Sequence, residues 1–213
     1  MPSLVGSEMC IRDSLIMASA GASPVVIQEV LYDGLGSDAD DVFTELFGTP
    51  GASLNGWTLV GVNGRNGESY RTIDLSGALI PDDGLLLITT SSANAGLAAL
   101  TDFVANVDWQ NEPDAVQLWF NDVLQDALQY GDAGVNNAGE GAHAEITPAG
   151  MSLSRSFFGT DTDDNAVDFL VGEATPGVGP AVVPVPAAAW LLASALVMLG
   201  VWRKRSAPSL GAA

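Results

Sequence analysis

The densest run of oxygen donors in the chain is GTDTDDN, Gly159 to Asn165. Asp161, Asp163 and Asn165 occupy alternate positions there. That is the opening of a D-x-[DN]-x-[DN] calcium loop, in which every second side chain turns toward one hard cation. The remainder departs from the pattern: Ala166 stands where an EF-hand needs glycine, Gly172 where it needs the bidentate glutamate, and Glu173 comes one residue late. Two readings follow. Either these carboxylates satisfy backbone amides of a turn between strands at Ser152 to Phe158 and Val167 to Leu170, or Asp161, Asp163 and Asn165 bind calcium.

Other chemistry has fewer parts. Acid pairs such as Asp40-Asp41, Asp82-Asp83 and Asp163-Asp164 are abundant, but glycoside hydrolysis needs two carboxylates across a cleft with one pKa raised. Nothing in the spacing selects such a pair. The single histidine, His143, sits in the Gly-rich run AGEGAHAE and reads as a solvated loop residue, and Cys10 is the one cysteine. A catalytic triad or a histidine-rich metal centre therefore lacks its components. No Gly-rich run is followed by Lys-Ser or Lys-Thr, so no phosphate cradle is indicated. No catalytic residue is assigned, and the chain reads as a non-enzyme.

Charge narrows the partners. Between Ser23 and Glu173 stand 24 acids and only three bases, Arg65, Arg71 and Arg155. Such a surface repels phosphate backbones, whose binding comes largely from Lys and Arg displacing counterions, so nucleic acid is not an expected partner. It suits cations and solubility in a salty medium. The length of 213 residues is enough for one domain with a real core plus terminal segments.

The elements that must position these residues read as β. From Pro24 onward, short apolar runs alternate with Gly, Asp, Asn and Pro. Strands are expected at Val25 to Asp33, Val42 to Phe47, Gly56 to Val62, Ser69 to Leu75, Leu85 to Thr89, Ala115 to Phe120, Val123 to Gly131 and Ser152 to Phe158. Asn-Gly pairs in NGRNGE and the Asn121-Asp122 pair mark hairpins. Leu85 to Thr89 is apolar on both faces and belongs inside the core. Ser92 to Phe103 is the one helical candidate, and residues 131 to 150 read as a long loop. Trp57, Trp109 and Trp119 read as packing residues rather than ligand platforms. About eight strands with regular turn signals imply an all-β, antiparallel sandwich.

The segments VVIQEVLYD, FTELF, LNGWTL, LSGALIPDDGLLLI, DAVQLWFNDVLQDALQYG, SLSRSFFGTDTDDNAVDF and ATPG, taken in that order, resemble the bacterial form of the lamin tail domain over residues 24–177. The resemblance implies an immunoglobulin-like β-sandwich that serves as an interaction module and carries no general catalytic residues. Gln28 and Phe47-Gly48 depart from the family's usual Asn and Tyr-Asn, which bears on loop geometry rather than on the fold.

The ends of the chain speak of export. Residues 1–14, MPSLVGSEMCIRDS, resemble an in-frame translation of a sequencing-library adapter and are set aside from the fold. Residues 15–22 resemble the end of a secretory signal peptide, with small residues at Ala18, Ala20 and Ala22 suited to cleavage. A Pro-rich linker spans 178–186. The apolar run 187–202, about 24 Å of helix at 1.5 Å per residue, is slightly short for the ~30 Å hydrocarbon core. It reads as a transmembrane helix, flanked by Trp190 and Trp202 and followed by a basic tail over 203–213. Arg203, Lys204 and Arg205 would stay cytoplasmic and leave the domain outside.

Val183, Pro184, Val185, Pro186 and Ala187 resemble the motif of a VPLPA-CTERM sorting signal, a relative of PEP-CTERM, with Val185 in place of the commoner Leu. The resemblance implies an exosortase as processing partner, an inner-membrane intermediate, and then the cell surface or extracellular matrix, with exopolysaccharide or surface proteins as neighbours. Two alternatives stay open: an exported metal-dependent hydrolase or nuclease accessory, and a membrane-anchored surface protein whose tail is never cut.

Overall fold

The computed structural model describes residues 25–156 and 158–178. The chain divides into two units, Met1–Gly179 and Pro180–Ala213, and everything below belongs to the first. The expected leader, the sorting motif at 183–187, the apolar run 187–202 and the basic cluster 203–205 lie outside the described residues. Among the described residues no helix is long and apolar enough to cross a membrane.

Among the described residues ten strands form two sheets: β1 (Val26–Leu31), β2 (Phe43–Phe47), β3 (Trp57–Asn63), β4 (Glu68–Asp74), β5 (Leu85–Thr89), β6 (Phe103–Val104), β7 (Asp114–Phe120), β8 (Val123–Tyr130), β9 (Met151–Arg155) and β10 (Phe169–Glu173). The six-stranded sheet runs β10-β9-β1-β2-β5-β6, the four-stranded sheet β4-β3-β7-β8. Apolar side chains from the facing sides merge into one core, with Ile27, Leu46, Ile88 and Leu153 from the first sheet and Trp57, Leu59, Leu118 and Leu128 from the second. The protein is thus a β-sandwich.

Two strands exceed the expected eight. β6 is only two residues long and pairs parallel with β5, so the larger sheet is mixed where a purely antiparallel one is expected. β10 pairs antiparallel with β9 and begins at Phe169 rather than Val167, because a single helical turn, Asn165–Asp168, precedes it. The helical candidate at 92–103 shrinks to one turn, Ala95–Ala98, capped by Asn94 Oδ1, which accepts from the amides of Gly96 and Leu97 at 2.9 and 3.1 Å.

The larger sheet is buried on both faces. Its inner face meets the main core. Its outer face carries a second cluster, Leu31, Val42, Phe43 and Leu87, which Leu97 of the helical turn covers. This accounts for the unbroken burial of β1 and β5. A bulge between Ile27 and Glu29 shifts the register of β1 against β2. Ile27 and Val30 therefore share the inner side, while Leu31 joins the outer cluster.

Candidate functional site

β9 ends on Arg155, a residue 1% exposed at the junction of both sheets. Its Nε donates to Ile27 O at 2.8 Å, Nη1 to Thr160 O at 2.8 Å and to Asp168 Oδ2 at 3.0 Å, and Nη2 to Asp126 Oδ1 at 2.7 Å. Asp126, on β8, turns its other oxygen to the amide of Ile27 at 2.6 Å. The pairing of β1 with β9 covers only Glu29 and Val30 and does not reach that amide. One buried guanidinium thus ties β1, β8, β9 and the 159–168 loop together, and its face lies 4.4 Å from the Phe169 ring centroid.

A cluster of carboxylates surrounds this guanidinium. Oxygens of Asp126, Glu140 and Asp161 lie within 4.8 Å of one another, and Asp161 Oδ1 is 3.6 Å from Arg155 Nη1. Burial, reinforced by the charges of Asp126 and Asp161, pushes the Glu140 carboxyl up to about 8, and its Oε2 is buried with no hydrogen-bond partner. Burial also raises Asp126 against the pull of Arg155. For Asp168, burial acts upward, but donation from the Thr162 amide and hydroxyl and the charge of Arg155 together carry its carboxyl below the usual range.

The three residues of the calcium-like run are used differently from one another. Asn165 is fully buried; its Oδ1 accepts from the amides of Gln129 at 2.8 Å and Glu140 at 3.1 Å, and its Nδ2 donates to Ala127 O at 2.7 Å. An amide oxygen with two donors has both lone pairs occupied, so Asn165 fastens the 139–140 loop to β8 instead of presenting an oxygen to a cation. Asp163 is exposed in a left-handed conformation, φ 56°, and its amide donates to Asp161 Oδ1 at 3.2 Å. Asp161 is the one member of the three that joins Asp126 and Glu140.

Two more buried acid groups escaped the sequence reading. Glu29 of β1 and Glu45 of β2 are direct cross-strand partners, 2% and 0% exposed. Asp114 of β7 accepts from the hydroxyls of Tyr70 at 2.5 Å and Tyr130 at 3.2 Å, while burial pushes its carboxyl up to about 7. Tyr130 in turn stacks on Tyr32 with centroids 4.0 Å apart. For Glu29, Glu45 and Arg155 the signal available was a lone charged residue in an otherwise uncharged strand, VIQEVL, FTELF and MSLSR. By contrast Asp40, Asp82 and Asp83 are exposed, as is His143.

No protein-family model and no curated protein matches this chain.

Proposed function

We propose that the chain is an exported, exosortase-sorted protein of the cell surface or extracellular matrix, whose lamin-tail-like, immunoglobulin-like sandwich has a structural or binding role rather than a catalytic one. The observation that carries this reading is the placement of the seven resembling segments. They fall on β1, β2, the start of β3, the approach to β5 together with β5, the β7–β8 hairpin, β9 with the following loop, and the 174–177 segment, all within one double-sheet domain.

Mass spectrometry of the protein from the organism that makes it tests the sorting. A mature C-terminus near the VPVPA motif is expected. An intact peptide spanning Pro186 to Trp202 would favour the uncleaved, membrane-anchored alternative. Turnover of phosphodiester or glycoside substrates with magnesium, manganese or calcium would favour the hydrolase alternative instead.

Calcium belongs to this proposal in altered form, with Asp161 acting alongside Asp126 and Glu140. A cation there displaces the proton that burial holds on Glu140, so calcium binding at pH 7 should release about one proton. Calorimetry in two buffers of different ionisation enthalpy measures that release; no heat at millimolar calcium removes the site.

A further inference from the structure

Residues 174–177 cross the outer face of the larger sheet, directly over the Glu29–Glu45 pair. The Thr175 amide donates to Glu29 Oε1 at 2.8 Å and the Thr175 hydroxyl to Glu29 Oε2 at 2.6 Å. The Gly177 amide donates to Glu45 Oε1 at 2.6 Å. Ser152 on β9 adds a hydroxyl to Glu29 Oε1 at 2.6 Å. Glu29 is therefore well supplied with donors, whereas Glu45 Oε2 is buried without one.

Beside Glu45 the Gly177 amide favours a negative charge. The charged groups that face the Glu45 carboxyl are Glu29 across the strand pair, Asp83 from the turn before β5 and Asp102 from the turn before β6, all acids. Burial, with these acids behind it, outweighs the downward pull of the Gly177 amide and pushes the Glu45 carboxyl up to about 7, against 4.5 for an ordinary glutamate. With its proton, Glu45 fits its dry place. Without it, two carboxylates stand opposed under a cover of four residues, and hydration is recovered only by lifting that cover.

We propose that residues 174–177 are a strap released by ionisation of Glu45, a proton-operated latch on the outer face of the larger sheet. Closed, the strap supplies Ala174 and Pro176 to the wall of a cavity of about 340 Å³ that Leu31, Phe43 and Leu97 also line. Open, it uncovers that apolar face. The four released residues then span up to about 13 Å of extended chain. This device is independent of any sorting of the tail.

The sign follows from proton linkage. Glu45 stands at about 7 under the strap, and an open state that returned it to the ordinary 4.5 would be favoured as pH rises, by at most about tenfold from pH 6 to pH 8. Amide exchange by NMR on the full-length chain, normalised to the intrinsic rate at each pH, reads this directly. Expected is a fall of up to about tenfold in protection of the Thr175 and Gly177 amides across that range, at protection well below that of Leu118 in the core. Glu45→Gln, which keeps an oxygen for Gly177 but cannot ionise, should flatten the response. Glu29→Gln, which removes the opposing charge, should shrink it, and serves if the first variant does not fold. Unchanged protection in the wild type, an undiminished fall in the Gln variants, or exchange of Gly177 only together with Leu118 would each overturn the latch.

Discussion

Replacing Arg155 by methionine would leave Asp126 buried, still tied to the Ile27 amide but without its cation. Removing one member of a buried pair typically costs about 3–5 kcal/mol, and urea unfolding should show a loss of that order. Changing Asp126 to leucine in the same chain should recover part of it, since no uncompensated carboxylate then remains. Asn165→Ala makes a different point. It strips two amides and one carbonyl of their partner, at about 1–3 kcal/mol for each group left buried and unpaired. The loss should be equal with and without calcium; a larger loss in calcium would make Asn165 a ligand after all. At this scale the sequence named the acids of the 161–165 loop but not their partners. Asp126 and Arg155 are 29 positions apart, and no local pattern reports a contact between them.

Elements were the most legible scale. Alternation and turn residues located the eight expected strands, and the Asn121-Asp122 hairpin has the backbone its residues favour. Both residues lie in the left-handed region, φ 47° and 64°, as a two-residue primed turn requires. Asp122→Gly should therefore stabilise the chain by about 0.5–1 kcal/mol, because glycine adopts that conformation without the Cβ penalty; a thermal melt checks it. Less legible were β6 and β10. A two-residue strand carries no periodicity, and its parallel pairing with β5 exists only because the helical turn at Ala95–Ala98 returns the chain alongside. The bulge in β1 was equally silent, since Val-Ile-Gln-Glu-Val-Leu reads as an uninterrupted strand until β2 and β9 fix its register.

For the whole molecule, charge and burial oppose each other. Burial raises Glu45 and Asp114 to about 7 and Glu140 to about 8, each above its unfolded value. The folded state therefore binds more protons than the unfolded chain between about pH 4 and pH 8. Stability should fall as pH rises through that window, with chemical denaturation at pH 5.5 and 8 as the check and a gain toward alkaline pH as the contrary result. The formal net charge of −19 adds self-repulsion, so raising salt from 10 to 500 mM should raise the melting temperature by screening it.

What the sequence by itself determined was the β class, the positions of its longer strands and the acidity of the surface, because periodicity, turn chemistry and charge are local or additive. Only the tertiary structure decided which acids are buried, that Asn165 is a clasp and not a free donor, and that Thr175 and Gly177 cap Glu29 and Glu45 from more than 130 positions away. Those outcomes depend on which strands become neighbours and which faces are covered. The free energy of a carboxylate is set by that cover far more than by the residues on either side of it in the chain.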